Sequence, residues 1–115
     1  MVSAREPDEG QDAIKEALGR MWNKFLPQTW ERVAVLEAAA KAFSGSRLSA
    51  EEQAAAQGAA HKLAGALGTF GLDEGTVLAR EAEILLSDTR GLDSAGASRL
   101  AEIASRLRTL VESRE

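Results

Sequence analysis

The sequence predicts an all-α fold, an antiparallel up-down four-helix bundle with an additional N-terminal helix. Alanine, leucine, glutamate and arginine dominate the 115 residues, while tyrosine and cysteine are absent, and this composition favours helix over sheet. Apolar residues recur every three or four positions in successive segments, which is typical of helices with one buried face. The connections between these segments are short, so neighbouring helices are expected to run antiparallel.

Charge and composition exclude several classes of function. A net charge of −4 argues against a nucleic-acid-binding surface, which needs a basic patch. The absence of cysteine excludes disulfides and cysteine-based catalysis, and with a single histidine we expect no metal site. No apolar run approaches the roughly 20 residues of a membrane span, and the N-terminus lacks the apolar core of a signal peptide. We therefore expect a cytoplasmic, monomeric protein that binds neither nucleic acid nor membrane, with a flexible leader at 1–10 and one helical domain at 11–115.

The N-terminal part of the domain contains two apolar segments separated by a proline. The first predicts a helix of about 12–25, with apolar positions at Ile14, Ala17, Leu18, Met21, Trp22 and Phe25. Pro27 interrupts this pattern, because a proline opens a helix or kinks one that contains it. The sequence predicts a second helix from near Pro27, with one continuous bent rod as the alternative.

The second and third helices are bounded by recognisable signals. The second has a narrow apolar seam of Trp30, Val33, Leu36, Ala40 and Phe43, and Gly45 suits its C-terminus. Ser49 and Glu52 form a capping box that begins the third helix. The third helix is expected to end in the stretch from Gly68 to Gly71.

Two more helices complete the predicted bundle. Asp73 is a candidate N-cap for a fourth helix that ends at about Ser87, with Leu78, Ala82 and Leu85 facing inward. The segment DTRGLDS is a turn by composition. Asp93 then caps a fifth helix with the clearest amphipathic stripe in the chain, formed by Leu100, Ile103, Ala104, Leu107, Leu110 and Val111.

The third helix carries the single histidine of the chain, His61, among residues with almost no side chain. Helical spacing places small residues on the same face as His61: Ala54, Gly58, Ala64, Gly65 and Gly68. The opposite face is a core stripe of Ala56, Ala60, Leu63, Leu67 and Phe70. The imidazole is therefore expected to stand on a strip of nearly bare backbone.

The glycines of this strip have two possible explanations. Each glycine inside a helix costs about 1 kcal/mol of stability relative to alanine. Three of them therefore cost a large part of the stability of a small domain. Either another helix of the same protein packs closely there and His61 is an ordinary polar residue, or a second protein brings a reactive group up to the imidazole. Neutral imidazole is a good nucleophile near pH 7 and can carry a covalent group.

The segment HKLAGALGTFG resembles the signature of histidine-containing phosphotransfer (HPt) domains, H-x-L-K-G followed by a spacer and another glycine. The matching positions are His61, Leu63, Gly65 and Gly71. One position departs from the pattern, because the usual lysine three residues after the histidine is Ala64, whereas a lysine stands at Lys62.

The resemblance implies a phosphorelay intermediate of bacterial two-component systems. A receiver-domain aspartate, or a kinase, would supply a phosphoryl group to the Nε2 atom of His61, and a second receiver aspartate would take it. The implied partners are a response-regulator receiver domain, a hybrid histidine kinase, or both. No cofactor is expected on this chain, since the receiver would bring the Mg²⁺, and no nucleotide-binding pattern indicates a kinase. The residues expected to support the phosphoryl group or the partner are Gln57, Gly58, Lys62, Ala64, Gly65 and Gly68.

The sequence also allows a function other than phosphotransfer. The missing lysine leaves open a docking module that binds a receiver or kinase without carrying phosphate.

Trp22 and Trp30 are expected to pack in the core or at its edge, with a ligand-stacking pair as the alternative. Arg80 and Glu83 are expected to form a surface ion pair. Arg80 or Arg47 could instead steady a phosphoryl group or meet an acidic partner.

Overall fold

The computed structural model describes residues 2–43, 48–88 and 91–114, with side chains described from residue 10 onward. These residues form four helices and no strand, which confirms the predicted all-α bundle. The helices are α1 (Val2–Phe43), α2 (Ala50–Thr69), α3 (Asp73–Leu86) and α4 (Ser94–Arg114).

Each helix packs against two neighbours. Helix α2 lies between α1 and α3, and α4 closes the bundle by packing against the same two helices. Within the described ranges α2 and α4 do not approach each other, so they occupy opposite corners. The core between them is made of small and branched apolar side chains, the largest fully buried ones being Leu36, Leu63, Leu67, Leu86, Leu100, Ile103, Leu107, Val33 and Val111. One outer corner of the bundle is therefore formed by α2, with α1 and α3 on either side of it.

The predicted boundary at Pro27 is wrong, and the alternative of one continuous rod is observed. Helix α1 runs for 42 residues through the proline, although an interior proline costs about 3 kcal/mol or more. Burial on both sides of the proline offsets this cost, because Trp22 and Val33 both lie in the core. The buried hydroxyl of Thr29 also donates a hydrogen bond to the Phe25 carbonyl, at 3.0 Å. The additional N-terminal helix of the prediction is thus the first part of α1.

Three of the predicted helix starts can be compared with the structure. The Ser49–Glu52 capping box is confirmed, with reciprocal hydrogen bonds of 2.9 and 3.0 Å. Asp93 also caps as predicted, since its Oδ1 accepts from the Gly96 amide at 2.7 Å. Asp73 does not cap, because it is already the first residue of α3 and the N-cap is Leu72, which makes no side-chain capping bond.

The turn between α2 and α3 sets how these two helices face each other. Gly71 adopts a φ of 77°, in the left-handed region that favours glycine. The Leu72 amide donates to the Leu67 carbonyl at 2.9 Å, and the Gly71 amide to the Gly68 carbonyl at 3.2 Å. These two bonds are those of a Schellman motif, and they bring α3 back antiparallel along α2.

Several of the sequence predictions concern residues near or outside the limits of the described ranges. The backbone is helical from Val2, within the segment expected to be a leader, and the flexibility of that segment stays a prediction. Gly45 and Arg47 lie outside the described residues. So does part of the DTRGLDS turn, although Gly91 within it has a φ of 86°. Among the residues that the structure describes, no helix is both long and apolar enough to cross a bilayer.

Candidate functional site

His61 lies on the outer face of α2, at the corner of the bundle opposite α4. Its side chain is 74% exposed, and its Nδ1 atom lies 2.9 Å from Oε2 of Glu83 on α3. The core stripe predicted for the opposite face is confirmed for Ala56, Ala60, Leu63 and Leu67, all fully buried. Phe70, the last predicted member of that stripe, is half-buried. The burial of one face of α2 thus holds the imidazole outward.

The contact with Glu83 determines which ring nitrogen of His61 carries the proton. An ionised carboxylate only accepts hydrogen bonds, so Nδ1 must carry the proton in this contact. In the neutral imidazole the lone pair then lies on Nε2. No hydrogen bond to Nε2 is found among the described residues. The Nε2 atom of the exposed ring therefore carries the lone pair, while the contact between Nδ1 and Glu83 orients the ring.

The predicted ion pair between Arg80 and Glu83 is not formed. Glu83 contacts His61 instead, and within the described part of the chain Arg80 makes no ion pair. The physical reason is the close antiparallel packing of α2 on α3, which places the imidazole beside the carboxylate. Glu83 is thus a site residue whose role was missed by sequence reasoning. His61 and Glu83 stand at similar distances on either side of the Gly71 turn, and a helical hairpin drawn around that turn would have paired them.

The structure distinguishes the two explanations for the glycines. A Cβ atom added to Gly58 or Gly65 would meet nothing within 4 Å. No helix of the described chain therefore needs the space that these two glycines leave. Gly68 is different, because an added Cβ would come within 3.1 Å of the Thr76 hydroxyl oxygen. Close helix packing accounts for Gly68 but for neither Gly58 nor Gly65.

Ala64 does not lie on the exposed face where the sequence placed it. It is only 7% exposed and belongs to the core cluster, and its carbonyl accepts a hydrogen bond from the Thr76 hydroxyl at 3.0 Å. A step of three residues turns a helix by about 300°. Ala64 is therefore displaced by about 60° from His61, which is enough to bring it into the contact with α3.

The two remaining supporting residues lie on different sides of His61. Gln57 is half-buried one turn before it, and no hydrogen bond joins their side chains among the described residues. Lys62 is exposed and lines an open cleft between α1 and α2, together with Gly58 and Arg32. Lys62 therefore lies on the α1 side of the strip, away from Glu83.

Apolar side chains are exposed on both helices that flank α2. The exposed large hydrophobic residues among those described are Ile14, Met21 and Phe25 on α1 and Val77 and Ile84 on α3. Met21 and Phe25 border a groove whose other wall includes Gly65 and Ala66. None of these exposed residues belongs to α4. Of these exposed residues, Met21 and Phe25 are thus the ones that lie beside the exposed face of α2.

The two tryptophans pack as predicted. Trp22 is 2% exposed and meets Phe70 edge-on, with ring centroids 5.2 Å apart. Trp30 is half-buried against the core, and the guanidinium carbon of Arg108 lies 5.1 Å from its ring centroid. Both rings serve packing between helices. Within the described ranges no group of three or more potential metal ligands is found.

Comparisons with known proteins agree with this geometry. A family model described as the Hpt domain matches residues 20–113. The chain is also similar to Protein RcaC of Microchaete diplosiphon, with 32% identity over 80 residues. That match covers 70% of this chain but only 12% of RcaC, so the chain corresponds to a small part of that protein. No solved structure matches significantly.

Proposed function

The chain belongs to the Hpt domain family, and on that premise we propose that His61 carries a phosphoryl group between receiver domains. The family has a general role in phosphotransfer and interacts with receiver domains or histidine kinases. The observation that carries the proposal is the exposed imidazole held through Nδ1 by Glu83, at 2.9 Å. This contact leaves Nε2 free on a surface that nothing else in the described chain occupies.

The proposed transfer begins with attack by the Nε2 lone pair on the phosphorus of a receiver's aspartyl phosphate. The N–P bond forms as the P–O bond to the aspartate breaks, and the aspartate leaves as a carboxylate with the bonding electrons. The imidazole ring becomes positively charged because it keeps the Nδ1 proton. The Glu83 carboxylate beside Nδ1 stabilises that charge. Attack by a second receiver's aspartate reverses these changes and restores the neutral ring.

The domain contributes position more than chemistry to this transfer. Phosphoryl transfer depends on in-line placement and on neutralising the charge of the phosphoryl oxygens. Open backbone at Gly58 and Gly65 gives a receiver's active site room to approach Nε2. The receiver would bring the acceptor aspartate and the Mg²⁺. The domain would accordingly act as an intermediate without kinase activity of its own.

A receiver would dock on the side of the bundle that carries His61. Met21 and Phe25 are 42% and 37% exposed and lie beside the groove that reaches Gly65. Burying such side chains favours association, at about 25 cal/mol per Å² of apolar surface. The small side chains of α2 would let the partner's helix come close to the backbone.

The test measures acid-labile label on His61. The purified domain would be incubated with receiver domains phosphorylated by radiolabelled acetyl phosphate, and separately with phosphoramidate as a partner-free donor. We expect acid-labile, base-stable label in the wild type and none in His61→Gln. Because His61 is exposed, this variant should melt within a few degrees of the wild type. Label retained by His61→Gln, or unfolding of that variant, would contradict the proposal.

The alternative function is a docking module without phosphate transfer. The alanine at position 64, where the family signature has lysine, is the observation that favours it. In that case the wild type and His61→Gln would bind a receiver domain equally, and neither would take up label from a phosphorylated receiver. Binding measured by titration calorimetry beside the labelling assay separates the two functions.

A further inference from the structure

The departure of Ala64 from the family signature leaves a specific place without a cation. Ala64 packs at the seam between α2 and α3, where Thr76 donates to its carbonyl. A lysine at position 64 would emerge from this seam toward the face of His61. Any group that replaces its charge must therefore reach the same seam.

The register of α3 against α2 identifies the residue that does so. Thr76 contacts Ala64, and Glu83 contacts His61. Residues at positions i, i+4 and i+7 share one face of a helix, and Thr76, Arg80 and Glu83 have this spacing. Arg80 therefore lies on the α2-facing edge of α3, between the level of Ala64 and the level of His61.

We propose that Arg80 is the cation that binds the phosphoryl oxygens on His61, in place of the lysine missing at position 64. This inference rests on the proposed function of His61. Arg80 is one helical turn from Glu83, about 4.5 Å along the axis. A guanidinium on a flexible stem reaches farther than that. It also presents several donors in a geometry that suits phosphate oxygens.

Arg80 is available for this role. The described arginines of α4 at positions 99, 106 and 108 are each paired with a glutamate of another helix. Arg80 is exposed and makes no such pair in the described ranges. Its side chain can therefore turn toward a phosphoryl group without breaking an ion pair.

Glu83 makes a nearby cation more necessary. Its carboxylate contacts the imidazole, so a dianionic phosphoryl group on Nε2 would arrive beside an existing negative charge. Like charges at such distances repel each other, even when they are partly screened by water. A positive charge on the same face of α3 offsets this repulsion. Lys62 is less well placed, because it projects toward α1 and lines the cleft with Arg32.

The experiment compares phospho-His61 in four proteins: wild type, Arg80→Gln, Arg80→Lys and Lys62→Gln, which tests the other candidate cation. Each isolated domain would be phosphorylated with phosphoramidate, so that no partner is needed. A cation stabilises the dianion more than the metaphosphate-like transition state of hydrolysis. We therefore expect hydrolysis to be about two- to five-fold faster in Arg80→Gln. Arg80→Lys and Lys62→Gln should remain close to the wild type.

A second readout reports the charge directly. The second pKa of the phosphoryl group, followed through the pH dependence of its ³¹P resonance, should rise by about half a unit in Arg80→Gln. A purely structural role of Arg80 would not move this pKa. The same measurement in Lys62→Gln should match the wild type.

Two results would overturn the inference while leaving the proposed function intact. In one, Arg80→Gln equals the wild type in both readouts while Lys62→Gln changes them, and Lys62 is then the cation. In the other, Arg80→Gln weakens receiver binding but leaves isolated phospho-His61 unchanged, and Arg80 then meets the partner. If wild-type His61 takes no phosphoryl group from phosphoramidate or from any receiver, the proposed function fails, and the role of Arg80 fails with it.

Discussion

His61 and Glu83 are 22 residues apart in the chain, yet the imidazole Nδ1 lies 2.9 Å from the carboxylate Oε2. His61 is largely exposed, whereas the Glu83 side chain is 30% exposed. The carboxylate is therefore the more buried partner, and it contacts the ring from the side of α3. This contact places the proton on Nδ1 and leaves the lone pair of the neutral ring on Nε2, the atom proposed to carry the phosphoryl group.

Substitutions at Glu83 should separate its two contributions, orientation and charge. Glu83→Gln keeps an oxygen that accepts from Nδ1, whereas Glu83→Ala removes the acceptor altogether. We expect transfer to slow about two- to five-fold in the glutamine variant and further in the alanine variant, since an exposed hydrogen bond is worth about 1 kcal/mol. Transfer rates and the ¹⁵N shifts of His61 would be measured, with Glu112→Gln on α4 as control. A ring whose tautomer ratio is unchanged in Glu83→Ala would contradict this account.

A larger side chain at position 65 should stabilise helix α2 and block the access of a receiver to His61. Gly65→Leu is expected to gain about 1 kcal/mol of helix propensity, because an added Cβ meets nothing within 4 Å. The same side chain would block a receiver's approach to Nε2, so transfer should be lost while the melting temperature rises. Gly19→Leu on α1, where the added Cβ is equally unobstructed, should gain stability and keep transfer. A joint fall of stability and transfer in Gly65→Leu would show that this face is needed inside the bundle.

Helical periodicity was sufficient to predict much of the site. The apolar stripe through Leu63 and Leu67 specifies which side of α2 is buried, and exposure of His61 on the opposite side follows from it. The capping box at Ser49 depends on residues within one turn, so it too could be predicted locally. For each of these features, all the residues that determine it lie within one helix or directly beside it.

The features that were missed depend on contacts between helices. Periodicity alone cannot say which edge of α2 is covered, so the burial of Ala64 against α3 was not foreseen. The role of Glu83 depends on the register that the Gly71 turn sets. At Pro27 a local rule predicted a helix boundary, but core packing before and after the proline keeps α1 continuous.

Trp22 is expected to contribute through its ring and not through its N–H group. It is 2% exposed, and its Nε1 has no hydrogen-bond partner within the described structure. Burying such a donor costs about 1–3 kcal/mol. Trp22→Phe should therefore lose much less stability than Trp22→Ala, which should lose about 3–5 kcal/mol. Urea unfolding measures both, and equal losses in the two variants would contradict this interpretation.

The ion pair between Glu37 on α1 and Arg108 on α4 should make stability depend on pH. Arg108 donates two hydrogen bonds of 2.7 Å to this carboxylate, and they hold the pKa of Glu37 below its usual value near 4.5. A carboxyl group with a lowered pKa in the folded state adds stability above its unfolded pKa, and that stability is lost as the pH falls through the folded pKa. Glu37→Gln should therefore melt a few degrees below the wild type at pH 7, with the difference shrinking as the pH falls below about 4. Melting curves at both pH values would be compared with those of Glu16→Gln, an exposed position on α1. A difference between Glu37→Gln and wild type that stays constant from pH 7 to pH 3 would mean that Glu37 acts through packing and not through its charge.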